Sequence, residues 1–335
     1  MSTELMDPIT RLAKHTDCSP VMMIGHGSSG TSILGEILRD DFQIAFGTES
    51  QYFVHYYNRL SHYGDLSKPE NMRQLIRHVL DERWFAKAER KWGFRIDEET
   101  VFAGIKKPTF RGLLDAIFWR FAEHLQMPRY GDKSPEYTLN LHVLGELYPD
   151  AKYIHMVRDG RDVAVSLFKR YWGGKNVYTV SRRWKMEVDL VDAFVKTLSP
   201  DQVIEITYEG LLGNPNREID RLIDFFALDD ADNAFREHMH RTIPEKLNRV
   251  NFDKWKTQLS SSQIHAFERV ACETLRRHGF ETTLEKESPS TGRGEQLFFA
   301  LHNRLKKWAY LDYWKDNFYK AKLRLRNATR RFGFR

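Results

Sequence analysis

Cysteine is scarce in this chain of 335 residues: Cys18 and Cys272 stand alone. Two thiols so far apart give no disulfide framework, neither has the spacing of a metal site, and the pattern fits a reducing compartment. Long apolar runs are missing as well. Nowhere do about 18 apolar residues follow one another, so a membrane-spanning helix is not expected. The first twenty residues hold no signal-like stretch either. A cytoplasmic protein is the expectation, with a peripheral position at a membrane as an option. No internal repeat is visible, and charge of one sign does not dominate. The net charge of +6 suits anionic ligands but is too modest to argue for a nucleic-acid partner, and none is expected. What remains, 41% hydrophobic and 29% charged, reads as a globular protein with room for a large core.

The most informative stretch begins at Val21. Val21-Met22-Met23-Ile24 reads as a buried strand, Gly25-His26-Gly27-Ser28-Ser29-Gly30-Thr31-Ser32 as a loop, and Ile33, Leu34, Ile37 and Leu38 recur at helical spacing. Small residues in such a loop let backbone N–H groups approach a ligand, and the helix adds unpaired donors and the positive end of its dipole. Gly27, Ser28, Ser29, Gly30, Thr31 and Ser32 are therefore candidates to cradle a phosphate or similar anion, against the plain alternative of a glycine turn. Gly25, four residues and Gly30 repeat the P-loop spacing. Thr31, however, stands where kinases and nucleotide hydrolases carry the lysine that reaches the β- and γ-phosphates, which argues against ordinary γ-phosphate chemistry.

Further along, Phe42–Phe46 reads as a second strand. Glu49 follows it, placed either to face a ligand beyond the strand end or simply to begin the next segment. Lys68–Trp92 is expected as one helix, Val101–Lys107 as a short strand ending in Lys106 and Lys107, and Phe110–Leu125 as a helix with a buried stripe. Gly131-Asp132-Lys133-Ser134-Pro135 reads as a loop before a helix from about Glu136 to Leu147, and its Lys133 could reach back to an anion. Ala151–Val157 is the next strand. It runs into Arg158-Asp159-Gly160-Arg161-Asp162 and a helix bearing Ser166, a fork of donors and a hydroxyl able to hold a second phosphate. Arg161 and Asp162 also read as local ion pairs. Val203–Thr207 is a further strand, followed by Tyr208, and Ser260–His278 a helix closed by Gly279.

The Ser-Gly-Thr-Ser core of the first loop, with the segment from Pro149 to Ser166 in the expected order after it, resembles sulfotransferases that use 3′-phosphoadenosine 5′-phosphosulfate, over about Val21 to Phe280. The resemblance implies a P-loop-like three-layer α/β/α fold around a parallel sheet. It also implies transfer of a sulfuryl group to a hydroxyl or amine of a carbohydrate, lipid or peptide acceptor, with adenosine 3′,5′-bisphosphate as product and no metal. Arg158 and Ser166 would then hold the 3′-phosphate, with Tyr208 close by and Lys254, in a Lys-Trp segment, over the nucleotide. Glu49 would be the general base, by similarity to the tyrosylprotein branch. The family usually has Lys or Arg where this chain has Ser28, so the charge on the leaving phosphate falls to Lys133, with His26, Lys106 and Lys107 as the other candidates. A nucleotide kinase and a non-catalytic nucleotide-binding module are the competing readings. Aromatic residues from Tyr52 to Tyr63 and around Trp84 are candidates for the acceptor wall.

The expected organisation is a domain over 1–284 with a helical insertion at about 60–130, a linker at 285–295 and a basic amphipathic helical tail at 296–335. That tail could lie on a membrane, associate with itself or a partner, or pack on its own protein, and packing is the commonest fate of such a stripe.

Overall fold

The computed structural model describes residues 19–228, 233–248, 250–288 and 293–308. Residues 1–18, including Cys18, and 309–335 of the expected tail lie outside them. Five strands form one sheet: β1 (Val21–Ile24), β2 (Ile44–Phe46), β3 (Arg129–Lys133), β4 (Lys152–Val157) and β5 (Val203–Thr207), in the order β2-β3-β1-β4-β5. Every pairing is parallel, with Val21 opposite both Gly131 and Lys152. β1 has helix-bearing connections on its way to both neighbours and is buried throughout, which is why it reads as an unbroken apolar run. Helices flank this sheet, as expected for the α/β class.

The chain divides into two compact units, Met1–Arg158 with Glu187–Asn251, and Asp159–Met186 with Phe252–Arg335. The first holds the sheet and an aromatic core. Trp84 meets Phe121 and Phe118 edge to face with ring centroids 5.3 and 5.8 Å apart, and Phe118 stacks on Tyr130 at 5.5 Å. Such edge-to-face pairs add to the area that aromatics bury. The second unit holds the helices Gly160–Phe168, Ser261–Arg277 and Arg293–Trp308. Arg161, fully buried there, donates to Glu268 Oε1 and Asp159 Oδ2, both at 2.7 Å, and its guanidinium lies 3.6 Å from the Trp255 ring. The local ion pair foreseen for Arg161 is thus one corner of a buried network. Asp162 does something else: its carboxylate accepts from the Trp255 backbone N–H at 2.9 Å.

Three expectations are corrected. Lys68–Trp92 is two helices, Pro69–Leu80 and Arg83–Trp92, because the chain turns at Asp81 and Glu82. Val101–Lys107 is not a strand; Glu98–Gly104 is a helix whose N-terminus Asp97 caps by accepting from the Thr100 N–H. Gly131–Lys133 is not loop but the end of β3, where a Cβ on Gly131 would press into the Phe46 ring. Among the described residues no helix is long and apolar enough to cross a membrane.

Candidate functional site

A fully parallel sheet sends the residue after every strand out at one edge, and in open α/β sheets that edge is where ligands sit. Gly25, Gly47, Ser134, Arg158 and Tyr208 leave there after β1 to β5. The loop after β1 is shaped by two glycines. A Cβ on Gly25 would fall on the Met156 carbonyl oxygen, so only glycine lets β1 end this close to β4. Gly30 has φ of 95° and a Cβ there would also enter the Tyr208 ring, so it is fixed by conformation and by space. Ser28 takes a left-handed φ of 74° as well.

Gly30 opens the helix Thr31–Asp40, and no side chain caps that helix. Its first N–H groups therefore point into the loop without intrahelical acceptors. The Ser28 and Ser29 hydroxyl oxygens are buried and have no hydrogen-bond partner among the described residues. Buried hydroxyls and helix N–H groups aimed into one loop are costly unless something accepts from them, and a phosphate or sulfuryl oxygen is suited to do so. Arg158 closes the loop from β4, donating to the Ser28 carbonyl at 3.3 Å and the Asn251 carbonyl at 3.1 Å, with its guanidinium 4.3 Å from the Tyr208 ring centroid. The Asn251 amide donates to the Tyr208 hydroxyl at 2.6 Å. Asn251 carries no signal in the sequence, yet it fixes both of these groups.

The second part of the site lies at the ends of β2 and β3. Lys133 is 8% exposed and its ammonium donates to Glu49 Oε1 at 3.1 Å and to the Ser32 hydroxyl at 3.2 Å. It thus joins the loop after β1 to the candidate base. Gln51 donates to the other Glu49 oxygen at 3.0 Å. A cleft of about 220 Å³ opens at this pair, lined also by Glu36 and Arg39 of the first helix and by Lys87 and Lys91.

Behind the pair is a buried network that the sequence reading missed. Asp132, 1% exposed, accepts from the Ser50 hydroxyl at 2.6 Å and from the Tyr137 hydroxyl. Burial pushes its carboxyl up to about 7, against the opposing pull of those hydroxyls and of Lys133. Ser50 adjoins Glu49, and the Trp84 ring N–H donates to the Thr48 carbonyl at 2.9 Å, so the segment carrying Glu49 is held on both sides. The signal for Asp132 was its place beside Lys133.

The remaining candidates fall as follows. His26 is buried, with Nδ1 2.6 Å from the Gly27 carbonyl oxygen and Nε2 3.7 Å from Glu187. Lys106 and Lys107 are exposed and do not line the cleft. The aromatic wall is corrected: Tyr52, Phe53, Tyr56 and Trp84 are core residues, 0 to 6% exposed, and the cleft is lined by charged residues instead. In the second unit Ser166 is half-buried on the helix Gly160–Phe168, and Lys254 immediately precedes the helix Trp255–Gln258. His155, Asp192 and Glu205 bring their ligating atoms within 4.8 Å of one another, a cluster that no sequence spacing announced.

A provisional protein-tyrosine sulfotransferase of Caenorhabditis elegans is 26% identical over 217 residues, 58% of this chain and 83% of that one. Protein-tyrosine sulfotransferase A of the same organism is 21% identical over 244 residues, 67% of this chain and 63% of its own length. Among solved structures, the sulfotransferase domain of the Synechococcus PCC 7002 olefin synthase aligns with a TM-score of 0.45 and 20% identity, over 77% of this chain and 96% of that one. Residues 20–232, well over half of the length, match the profile described as the sulfotransferase family, and the chain belongs to that family.

Proposed function

We propose that this chain moves a sulfuryl group from 3′-phosphoadenosine 5′-phosphosulfate to an acceptor hydroxyl by in-line displacement. The observation that carries the reading is the pair of buried, partnerless hydroxyls of Ser28 and Ser29 beside an uncapped helix N-terminus, with a lysine–glutamate pair opening from the same loop. The donor supplies a sulfuryl group on a phosphate that can leave. Ser28, Ser29 and the N–H groups from Gly30 onward bind and orient the oxygens at that end. Arg158 and Tyr208 bind the 3′-phosphoadenosine end.

Glu49 takes the proton of the acceptor hydroxyl as its oxygen bonds to sulfur. The bond from sulfur to the bridging oxygen breaks, and its electron pair stays on the phosphate. Lys133 stabilises the charge that develops there, the task a basic residue at position 28 would otherwise perform. Its contact with Ser32 already points the ammonium at the loop. The tyrosine phenol named for the Caenorhabditis elegans relatives is the first acceptor to try, followed by carbohydrate and lipid hydroxyls.

Calorimetry with adenosine 3′,5′-bisphosphate tests the reading directly. Binding is expected, weakened about tenfold or more by Arg158→Ala, since the charge-assisted bonds of a guanidinium to phosphate are among the strong ones. No affinity of the native chain for that nucleotide would overturn the proposal. Labelled-sulfate transfer then separates an enzyme from a binding module, and activity retained in chelator separates it from a kinase.

A further inference from the structure

The last described helix, Arg293–Trp308, has two unlike sides. One is held within its own unit. Phe299 stacks on Tyr178 with ring centroids 4.8 Å apart, the Asn303 side-chain oxygen accepts from the Lys175 backbone N–H at 2.8 Å, and the Asn176 amide donates to the Phe299 carbonyl at 3.0 Å. The other side carries Leu297, Phe298, Leu301, Leu305 and Trp308. Their spacing of three and four residues makes them one stripe along the helix, and each is between 45 and 71% exposed. Single exposed apolar side chains are ordinary. Five large ones in a row form the kind of patch that marks contact with another surface.

Charge says which surface. Residues 293–335 contain twelve Lys and Arg against three Asp and Glu, an excess of nine positive charges in a chain whose net charge is +6. The other 292 residues are therefore net negative, at −3. Two copies meeting stripe to stripe would bring these positive charges together, which opposes association. An anionic bilayer satisfies both features. The apolar side chains enter the boundary of the acyl region, tryptophan favours the level of the headgroups, and Lys and Arg face the lipid phosphates and carboxylates.

We propose that the helix Arg293–Trp308 docks this protein on a membrane surface rich in anionic lipid, to which the positive charge of the C-terminal sequence attracts it. The proposal stands apart from what the site transfers, because it uses none of the site's residues. It would place a soluble-looking catalytic unit beside acceptors that are themselves held at the surface.

The test is sedimentation of the full chain with vesicles. It is expected to pellet with vesicles of phosphatidylcholine and phosphatidylserine, to stay in solution with phosphatidylcholine alone, and to be released by salt. The double variant Leu301→Glu, Leu305→Glu should bind the mixed vesicles about tenfold more weakly or worse, since it puts two negative charges on the inserting face. Its Tm should be unchanged, because both side chains are exposed. A second variant, Lys320→Gln, Lys322→Gln and Arg324→Gln, should keep the apolar stripe and lose part of the salt dependence. Equal binding to neutral vesicles, or no binding to either kind, overturns the proposal. So does light scattering that shows a dimer which the Leu301→Glu, Leu305→Glu variant dissolves, because the stripe would then be a contact between copies.

Discussion

The loop after β1 and the corner at the ends of β2 and β3 meet at Ser32, yet they are made of different materials. The loop works with backbone N–H groups, two hydroxyls and glycines, and its shape is set by close approach to Met156 and Tyr208. The corner works with a cation and a carboxylate, Lys133 and Glu49, backed by the buried carboxyl of Asp132. On the proposed function, the difference teaches that binding and proton transfer need not share groups. An anion cradle gains from many weak, fixed donors, whereas acid–base chemistry needs one titratable group in the right place.

That division can be broken at three points. The largest effect is expected at Gly30→Val. Its φ of 95° and the Tyr208 ring leave no place for a branched side chain. Affinity for adenosine 3′,5′-bisphosphate, read by calorimetry, should fall by roughly a hundredfold or more. Unchanged affinity would mean that the loop is not the cradle. Next come Glu49→Gln and Lys133→Ala, which should lower kcat by about a hundredfold or more while leaving the Kd of the donor 3′-phosphoadenosine 5′-phosphosulfate, in which the charge on the leaving phosphate has not yet developed, within a few-fold. A large loss of affinity in either variant would erase the distinction between loop and corner.

The smallest effect sharpens the comparison. Asp132 is held at about 7 against an ordinary 3.8, so the folded protein prefers its carboxyl protonated. Between those two values the folded state binds more protons than the unfolded one, and stability from this group is lost as pH rises through the window. Asp132→Asn removes the titration and keeps the shape. The Tm of the variant should therefore gain on that of the native chain as pH rises from about 4 to about 7, and stay level above it. The same slope in both proteins would show that Asp132 remains charged across this range, the pull of Ser50, Tyr137 and Lys133 outweighing its burial.

The sequence was most legible where local rules act alone. β1 is an apolar run and β4 and β5 are largely apolar, and they lead at once into the small-residue loop, Arg158 and Tyr208, so strand and candidate residue could be read together. β3 escaped because Arg129-Tyr130-Gly131-Asp132-Lys133 is polar enough for a loop, and only its neighbours β1 and β2 bury it. Glu98–Gly104 was missed because Val101, Phe102, Ala103 and Ile105 make a short apolar run that fits a strand, whereas the helix begins at the Asp97 cap four residues earlier. The aromatic residues near Tyr52 and Trp84 were taken for a ligand wall because composition cannot tell a lining from a core.

By itself the sequence determined the strand, loop and helix proposed as the anion cradle. A strand, a run of small residues and a helix dictate where N–H groups and hydroxyls gather, whatever surrounds them, and that local geometry also carried the family resemblance. The tertiary structure decided which charged groups stand beside it. Glu49 and Lys133 are 84 residues apart and come to 3.1 Å only because β2 lies next to β3 and β3 next to β1. The order of strands in a sheet is settled by how helices and an aromatic core pack over it, and no motif in the chain spells that order out.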